Sequence, residues 1–330
     1  MKKHVVILGS GSWGTAVGDI LARAGHAVTL WSSTGHNFSA LSEGRRHPKL
    51  PSLALHDNVT VTRSLTGALK EAEVVFIAVA SAKVRELARA MKSLIHSQLP
   101  VVILSKGLEF PSGKTLSEVM REELGSCSVS VLSGGSHAEE VIEDLPFGLT
   151  LAGGSPQAQR TIEALFSRTP AHISHAKSAL QVEWFAALKN LLSIGVGISD
   201  TLGLGDNFRA CFITDILKEA DAIFHAKLGS DYEGLCSYGC LGDLFATMFS
   251  PHSRNRRYGM LLGKGLKGPE ALEQVGMVVE GLNVARVAAQ RLHADMTPMS
   301  LALAQFIVND DVDRSRTRFL ACLGYACQTK

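Results

Sequence analysis

The chain is poor in the features that mark several protein classes. Its six cysteines (Cys127, Cys211, Cys236, Cys240, Cys322 and Cys327) are scattered through 330 residues, a usage that fits reduced thiols and not a disulfide framework. Cys236 and Cys240 make half a metal site at most, because no second pair stands at a ligand spacing. The cysteines read as buried, inert thiols, and no metal is expected. Neither sign of charge dominates: 33 Lys and Arg stand against 31 Asp and Glu, which argues against a broadly basic nucleic-acid or membrane-surface protein. Apolar runs such as Val74–Ala80 and Val101–Leu104 fall far short of the roughly 20 residues a membrane span needs. After Met1-Lys2-Lys3, the apolar stretch Val5–Leu8 is too short for a signal peptide. The cytoplasm is the expected location. With 46% hydrophobic and 19% charged residues, the chain is neither disordered nor a coiled coil.

At about 150 residues per domain the length predicts two domains, enough to bury a core without disulfides or metals. The first half carries short, mostly β-branched runs: Val5–Leu8, Val28–Trp31, Val59–Val61, Val74–Val79, Val101–Leu104, Val129–Leu132 and Leu149–Leu151. Amphipathic segments such as Thr15–Ala24 and Lys83–Ile95 lie between several of them. Strands alternating with helices mean βαβ units and a mostly parallel, doubly wound sheet. From about Ala179 helical periodicity takes over, in Gln181–Leu192, Arg209–Leu228, Ala271–Gln274, Val284–Leu292 and Ser300–Val308. The expectation is an α/β domain over residues 1–178 and an all-α domain over 179–330, with the boundary at His175–Ser178.

Gly9-Ser10-Gly11-Ser12-Trp13-Gly14 fits G-x-G-x-x-G. It follows a predicted strand and opens a predicted helix, the context that a dinucleotide-binding, Rossmann-type site requires. Gly9 permits the tight turn, Gly11 lets the backbone approach the pyrophosphate, and Gly14 permits close helix–strand packing. The phosphates then face the positive end of the helix. A purely structural glycine turn is the alternative. NAD sites usually carry an acid about 20 residues on, for the ribose 2′-OH. Here the second strand ends in Trp31-Ser32-Ser33-Thr34, without a carboxylate. Hydroxyls can bond either a 2′-OH or a 2′-phosphate, and Arg45-Arg46 follow in a loop. The missing acid tilts the expectation from NAD towards NADP.

Four further groups are candidates for chemistry, each with a plainer reading beside it. Lys106 follows the strand Val101–Leu104, at the sheet end where ligands bind, or is a solvated loop lysine. Lys189, within an apolar helix and followed by Asn190, would be desolvated and made a better proton donor near neutrality. Alternatively, it snorkels to the surface. Asp243 has apolar neighbours, which suits a helix cap or a carboxylate paired with Lys189. Ser253-Arg254-Asn255-Arg256-Arg257 is a phosphate-binding pattern or a solvated charged face.

Taken together these residues resemble the bacterial-type NAD(P)-dependent glycerol-3-phosphate dehydrogenases. The matches run from Val5 to about Leu323 and keep the family's order: Gly9–Gly14, Ser105–Glu109, Ser133-Gly134, Lys189-Asn190, Gly205-Asp206-Asn207-x-Arg209, Leu241–Leu244, Ser253–Asn255 and Val278–Gly281. The resemblance implies hydride transfer between the nicotinamide and C2 of glycerol 3-phosphate, equilibrating it with dihydroxyacetone phosphate, in the service of phospholipid synthesis. By the same analogy Lys189 is the general acid/base, Lys106 a cation for the developing alkoxide, and Asp243 orients Lys189 and binds substrate. Substrate contacts are implied for Lys106, Gly134, Ser136, Lys189, Asn190, Asp243, Thr247, Ser253, Arg254 and Asn255, with Arg254 on the phosphate. Dinucleotide contacts are implied for Gly9, Gly11, Ser12, Trp13, Gly14, Ser33, Lys106, Ala138, Arg254, Val278 and Glu280. A homodimer is also among the expectations.

The chain departs from the family in three places. Gly134-Gly135-Ser136-His137-Ala138 stands where relatives read Gly-Pro-Ser/Thr-Phe-Ala, which loosens the loop and adds a histidine, read here as a packing replacement. Thr214-Asp215-Ile216 replaces Thr-Arg-Gly, a charge reversal on a helix surface or subunit contact. Ser33 replaces an Arg or His. Competing readings are a related two-domain dehydrogenase of a hydroxy acid or sugar acid, and a catalytically inactive dinucleotide-binding relative.

Overall fold

The structure is a computed structural model that describes residues 2–33, 35–135, 137–250 and 253–325. The chain divides into two compact units. The first comprises Met1–Lys106, Leu116–Val182 and Cys236–Asp243, and the second Gly107–Thr115, Glu183–Leu235 and Leu244–Lys330.

The first unit is built on one sheet of eight strands: β1 (His4–Leu8), β2 (Ala27–Trp31), β3 (Val59–Thr62), β4 (Val74–Ile77), β5 (Val101–Ile103), β6 (Val129–Gly134), β7 (Phe147–Gly153) and β8 (Ala171–Ala176). Their order is β3-β2-β1-β4-β5-β6-β7-β8, with β6 and β7 antiparallel and every other pair parallel. The doubly wound α/β sheet expected from alternating runs is therefore present, as is the helical half beyond it. Apart from His4 and Thr29, β1, β2 and β4 are apolar at every position because both faces are covered. Val5, Ile7, Val28, Leu30, Val74 and Phe76 face the core that holds Ala16, Val17, Ile20 and Leu21 of the helix Ser12–Arg23. Val6, Leu8, Val75 and Ile77 face the opposite core, with Val84, Leu87 and Met91 of Val84–Met91 and Leu116, Val119 and Met120 of Leu116–Leu124. Each such side chain contributes about 1.5–3 kcal/mol by leaving water. Chain order reverses between β1 and β4, so the carboxyl ends of these strands form the crevice where open α/β sheets bind ligands.

β8 has no counterpart among the predicted strands. It is an edge strand of sequence AHISHA, with His172 and His175 exposed and no residue fully buried. No apolar run announces it, and its pairing with β7 supplies the order.

The described helices of the second unit include the continuation of Ala179–Thr201, then Gly205–Leu228, Arg254–Gly263, Gly268–Val275, Glu280–Arg291, Pro298–Val308 and Arg316–Cys322. Ala179–Thr201 and Arg254–Gly263 cross at glycines: a Cβ on Gly197 would lie 2.1 Å from the Arg256 carbonyl oxygen, and one on Gly259 2.0 Å from that of Ile194. Real Cβ contacts are never so short, so only glycine allows this approach. The Glu219 carboxylate accepts from the amides of Met299 and Ser300 at 2.6 and 2.9 Å, which satisfies the orphan donors of the Pro298–Val308 helix. No helix among the described residues is long and apolar enough to cross a membrane.

The expectation of buried cysteines holds for Cys127 and Cys240 but not for three others. Cys322 is half-buried, and Cys327 lies outside the described residues. Cys211 and Cys236 are exposed rather than buried, because they stand on a helix exterior and in a loop. Cys240 is buried, and desolvation pushes its thiol up to about 11. At Asp215 the charge reversal has a local partner: the carboxylate accepts from the Tyr325 hydroxyl at 2.7 Å and from Lys218 at 3.1 Å.

Candidate active site

In the first unit the glycine loop lies where β1 ends. Gly9 has φ +129°, and a Cβ there would stand 2.5 Å from the Ala78 carbonyl group, so the turn is pressed against the end of β4. A Cβ on Gly14 would lie 2.3 Å from the Gly9 carbonyl oxygen, which leaves no room for a side chain between helix and turn. Gly11 differs: nothing lies within 4 Å of its added Cβ. An exposed, unobstructed glycine at the mouth of a helix is what a pyrophosphate needs from the backbone, so the cradle fits a dinucleotide. Ser12 begins the helix, and Trp13 packs edge-on to Phe147 with ring centroids 6.3 Å apart.

A polar network fixes this loop from behind. The Ser10 carbonyl accepts from Asn37 Nδ2 at 2.8 Å and from His47 Nε2 at 3.2 Å. His47 Nδ1 accepts the Lys49 amide at 3.1 Å, which defines a neutral tautomer protonated on Nε2. Desolvation is the largest influence on His47 and holds its imidazole below the ordinary value. Ser10 Oγ and Ser32 Oγ are 2.7 Å apart, tying the loop to the end of β2, with Ser33 exposed beside it. Neither Asn37 nor His47 stood out in the sequence, since their partner is a backbone carbonyl.

Lys106, just beyond β5, donates to both oxygens of Asp243 at 2.9 Å and to the Gly134 carbonyl oxygen at 2.9 Å. The Asp243 side chain is 2% exposed and that of Lys106 18%, so this ion pair is largely withdrawn from water. Lys106 is thus no solvated loop lysine, and Asp243, the first residue of the helix Asp243–Phe249, has a cation that its sequence neighbours do not reveal. Gly134 has its own reason to be glycine, because a Cβ would meet the Gly148 carbonyl oxygen at 2.1 Å. Ala138 opens the short helix Ala138–Val141, whose N-cap is His137. Ser136 lies outside the described residues.

In the second unit Lys189 is 5% exposed, and its Nζ donates to Thr247 Oγ1 at 2.8 Å. It does not snorkel to the surface. Next to it, Asn190 Oδ1 accepts from Asn255 Nδ2 at 2.9 Å, and Asn255 Oδ1 accepts from the Gly281 amide at 3.0 Å. Three segments singled out in the sequence are therefore joined by two hydrogen bonds. A Cβ on Gly281 would stand 2.7 Å from the Asn190 carbonyl oxygen and 2.9 Å from Asn255 Oδ1.

The arginine run separates by role. Arg256 Nε donates to Asp200 at 2.7 Å, and Arg257 donates to the Gln274 carbonyl at 3.1 Å. Asp200 also accepts from Arg209 at 2.6 Å. Arg254, the first residue of its helix, is exposed, and the Ser253 hydroxyl caps that helix by accepting the Arg256 amide. Two of the three arginines hold the second unit together, and the third faces solvent at a helix N-terminus. Val278 is 52% exposed, and Glu280 begins the next helix. Asp200 is the organising residue that the sequence did not point to.

Comparison with known proteins agrees with these features. The family model described as NAD-dependent glycerol-3-phosphate dehydrogenase N-terminus matches residues 4–159, and its C-terminus counterpart matches residues 179–311. A glycerol-3-phosphate dehydrogenase (NAD(P)+) of Thermoanaerobacter sp. (strain X514) is 39% identical over 284 residues, 86% of each chain. The corresponding protein of Clostridium tetani is 36% identical over 285 residues, 86% of this chain and 81% of that one. The crystal structure of glycerol-3-phosphate dehydrogenase from Coxiella burnetii superposes with a TM-score of 0.88 at 32% identity, covering 98% of this chain and 99% of that one. With both halves matched in order, the chain belongs to the NAD-dependent glycerol-3-phosphate dehydrogenase family.

Proposed function

We propose that the protein catalyses reversible hydride transfer between NAD(P)H and dihydroxyacetone phosphate, forming sn-glycerol 3-phosphate for phospholipid synthesis. The observation that carries the reading is the buried Lys189, held on Thr247 in a helix whose next residue anchors the Asn190–Asn255 pair. The nicotinamide, when bound, supplies or accepts the hydride. The chain's own residues manage charge and protons. In the reducing direction Lys189 gives a proton to the carbonyl oxygen as charge builds there, and in the oxidising direction it takes the proton from the C2 hydroxyl. Lys106, oriented by Asp243 and the Gly134 carbonyl, favours the alkoxide-like transition state over the neutral ketone. Arg254 and the first turn of its helix meet the phosphate, with Arg256 and Arg257 keeping that turn in place. Gly11 and the helix behind it receive the pyrophosphate, with Ser12, Trp13, Ala138, Val278 and Glu280 along the cofactor. A cytosolic location and a homodimer belong to the same reading.

The test follows nicotinamide absorbance with dihydroxyacetone phosphate, using NADPH and NADH in parallel and unphosphorylated dihydroxyacetone as the control. Oxidation that requires the phosphate is expected. Lys189→Ala should bind cofactor as before and turn over roughly 100-fold more slowly or worse, the scale of a lost general acid. Wild-type turnover in that variant removes Lys189 from the mechanism. Folded wild-type protein that oxidises neither cofactor overturns the reading.

A further inference from the structure

A cation that the family resemblance does not point to stands beside the end of β2. β2 and β3 are parallel neighbours with Trp31 level with Thr62, and the Ser32 amide donates to the Thr62 carbonyl at 3.0 Å. The residue after Thr62 is Arg63, so it leaves β3 alongside Ser32 and Ser33, about 4.8 Å away at ordinary strand spacing. Trp31 Nε1 donates to the Arg63 carbonyl at 3.0 Å, which fixes the backbone there. The guanidinium lies over the Phe38 ring, 6.0 Å from its centroid, on the helix Gly35–Ser42 that follows the end of β2. Cation–π contact of this kind holds an arginine in place while its N–H fork still faces outward.

Arg45 and Arg46, the two arginines that follow β2, are engaged elsewhere. The Arg45 guanidinium donates to the carbonyls of Val59 and Leu55 at 2.9 and 3.0 Å and also to that of His56, which fastens the loop before β3. Arg46 reaches back to the Pro51 carbonyl at 3.4 Å. Arg63 is exposed, and its guanidinium makes no ion pair among the described residues.

We infer that Arg63 is a specificity-determining residue that receives the 2′-phosphate of NADP(H), beside the exposed Ser33. The inference rests on the dinucleotide reading of the first unit. Its chemistry is direct: the end of β2 has no carboxylate to bind a ribose 2′-OH, and a guanidinium fork matches a phosphate bidentately. A parallel pairing register thus supplies from β3 the charge that the sequence after β2 lacks.

The test is calorimetric titration of the whole protein with adenosine 2′,5′-bisphosphate and with adenosine 5′-monophosphate, so that it does not depend on turnover. Wild-type protein should bind the bisphosphate roughly tenfold or more tightly, the scale of a charge-assisted pair. Arg63→Ala should reduce that ratio to near one, with the monophosphate affinity kept within about twofold; Arg63→Lys should restore part of it, as a point charge without the fork. Because Arg63 is exposed, neither change threatens the core. A ratio that survives Arg63→Ala, or equal loss of both ligands, overturns the inference, the second outcome meaning that the guanidinium stacks on adenine. Wild-type preference for the monophosphate also overturns it, and leaves the dehydrogenase reading standing if NADH is oxidised with dihydroxyacetone phosphate. Failure of folded protein to bind either nucleotide or either dinucleotide overturns both.

Discussion

Asp200→Ala removes one carboxylate and loosens three helices at once. Asp200 lies in the last turn of the helix Ala179–Thr201, Arg209 belongs to Gly205–Leu228, and Arg256 to Arg254–Gly263. The two charge-assisted bonds measure 2.6 and 2.7 Å, with Asp200 10% exposed and the arginines 35% and 28% exposed. A well-buried bond of this type contributes about 1.5–3 kcal/mol. Solvent screening at these arginines brings the figure to roughly 1 kcal/mol each. Two guanidinium groups then face each other without their shared anion, which adds up to about 1 kcal/mol. Asp200→Ala should therefore cost about 2–3 kcal/mol, and Arg256→Ala about half as much. In urea denaturation the midpoint should fall with little change in slope. The double variant should show a coupling of about 1 kcal/mol between the two positions. A loss below about 0.5 kcal/mol for Asp200→Ala, or a coupling of zero, would mean that the glycine crossing at Gly197 and Gly259 holds these helices without the ion pairs.

Two further outcomes are expected. Gly11→Val should leave thermal stability unchanged, because its side chain enters open space, while weakening NADPH binding at least roughly tenfold if the proposed pyrophosphate site is there; Gly14→Ala should lower stability by about 1–3 kcal/mol through the collision with the Gly9 carbonyl. Equal melting temperatures for those two variants would contradict this division of labour. His47 should make the first unit acid-sensitive: its folded pKa lies below the ordinary 6.5, so the unfolded chain takes up the proton first as pH falls. Stability is then complete above that value and declines as pH drops through it towards the folded pKa. His26, shifted the same way by burial, adds to the slope, so His47→Gln should flatten the melting temperature against pH between about 7 and 5 without abolishing the trend. An unchanged slope in that variant would clear His47 of the effect.

How much was readable in advance depended on the range of the interaction. β1, β2 and β4 are visible as apolar runs because both faces are buried, and the glycine loop is visible because its constraints fall within six neighbouring positions. β8 is invisible because a half-exposed edge strand with His172 and His175 exposed makes no such run. Lys106 and Asp243 could each be noticed, but their pairing joins positions 137 residues apart. The run Arg254–Arg257 displayed its charge, yet which arginine anchors and which faces solvent depends on Asp200 and Gln274. Arg63 depended on strand register, which composition does not carry.

The return of Cys236–Asp243 to the first unit bears on how relatives of this chain can be recombined. That short segment seats the Gly239 amide on Thr150 Oγ1 at 2.8 Å, lays Tyr238 where a side chain on Gly148 would otherwise go, and ends in the carboxylate that grips Lys106. A chimera joined near residue 179 would inherit its sheet from one parent and this insert from the other. The insert and its seat must therefore vary together, so the functional breakpoints of the fold come as a pair flanking residues 236–243, with the single seam suggested by chain order insufficient on its own.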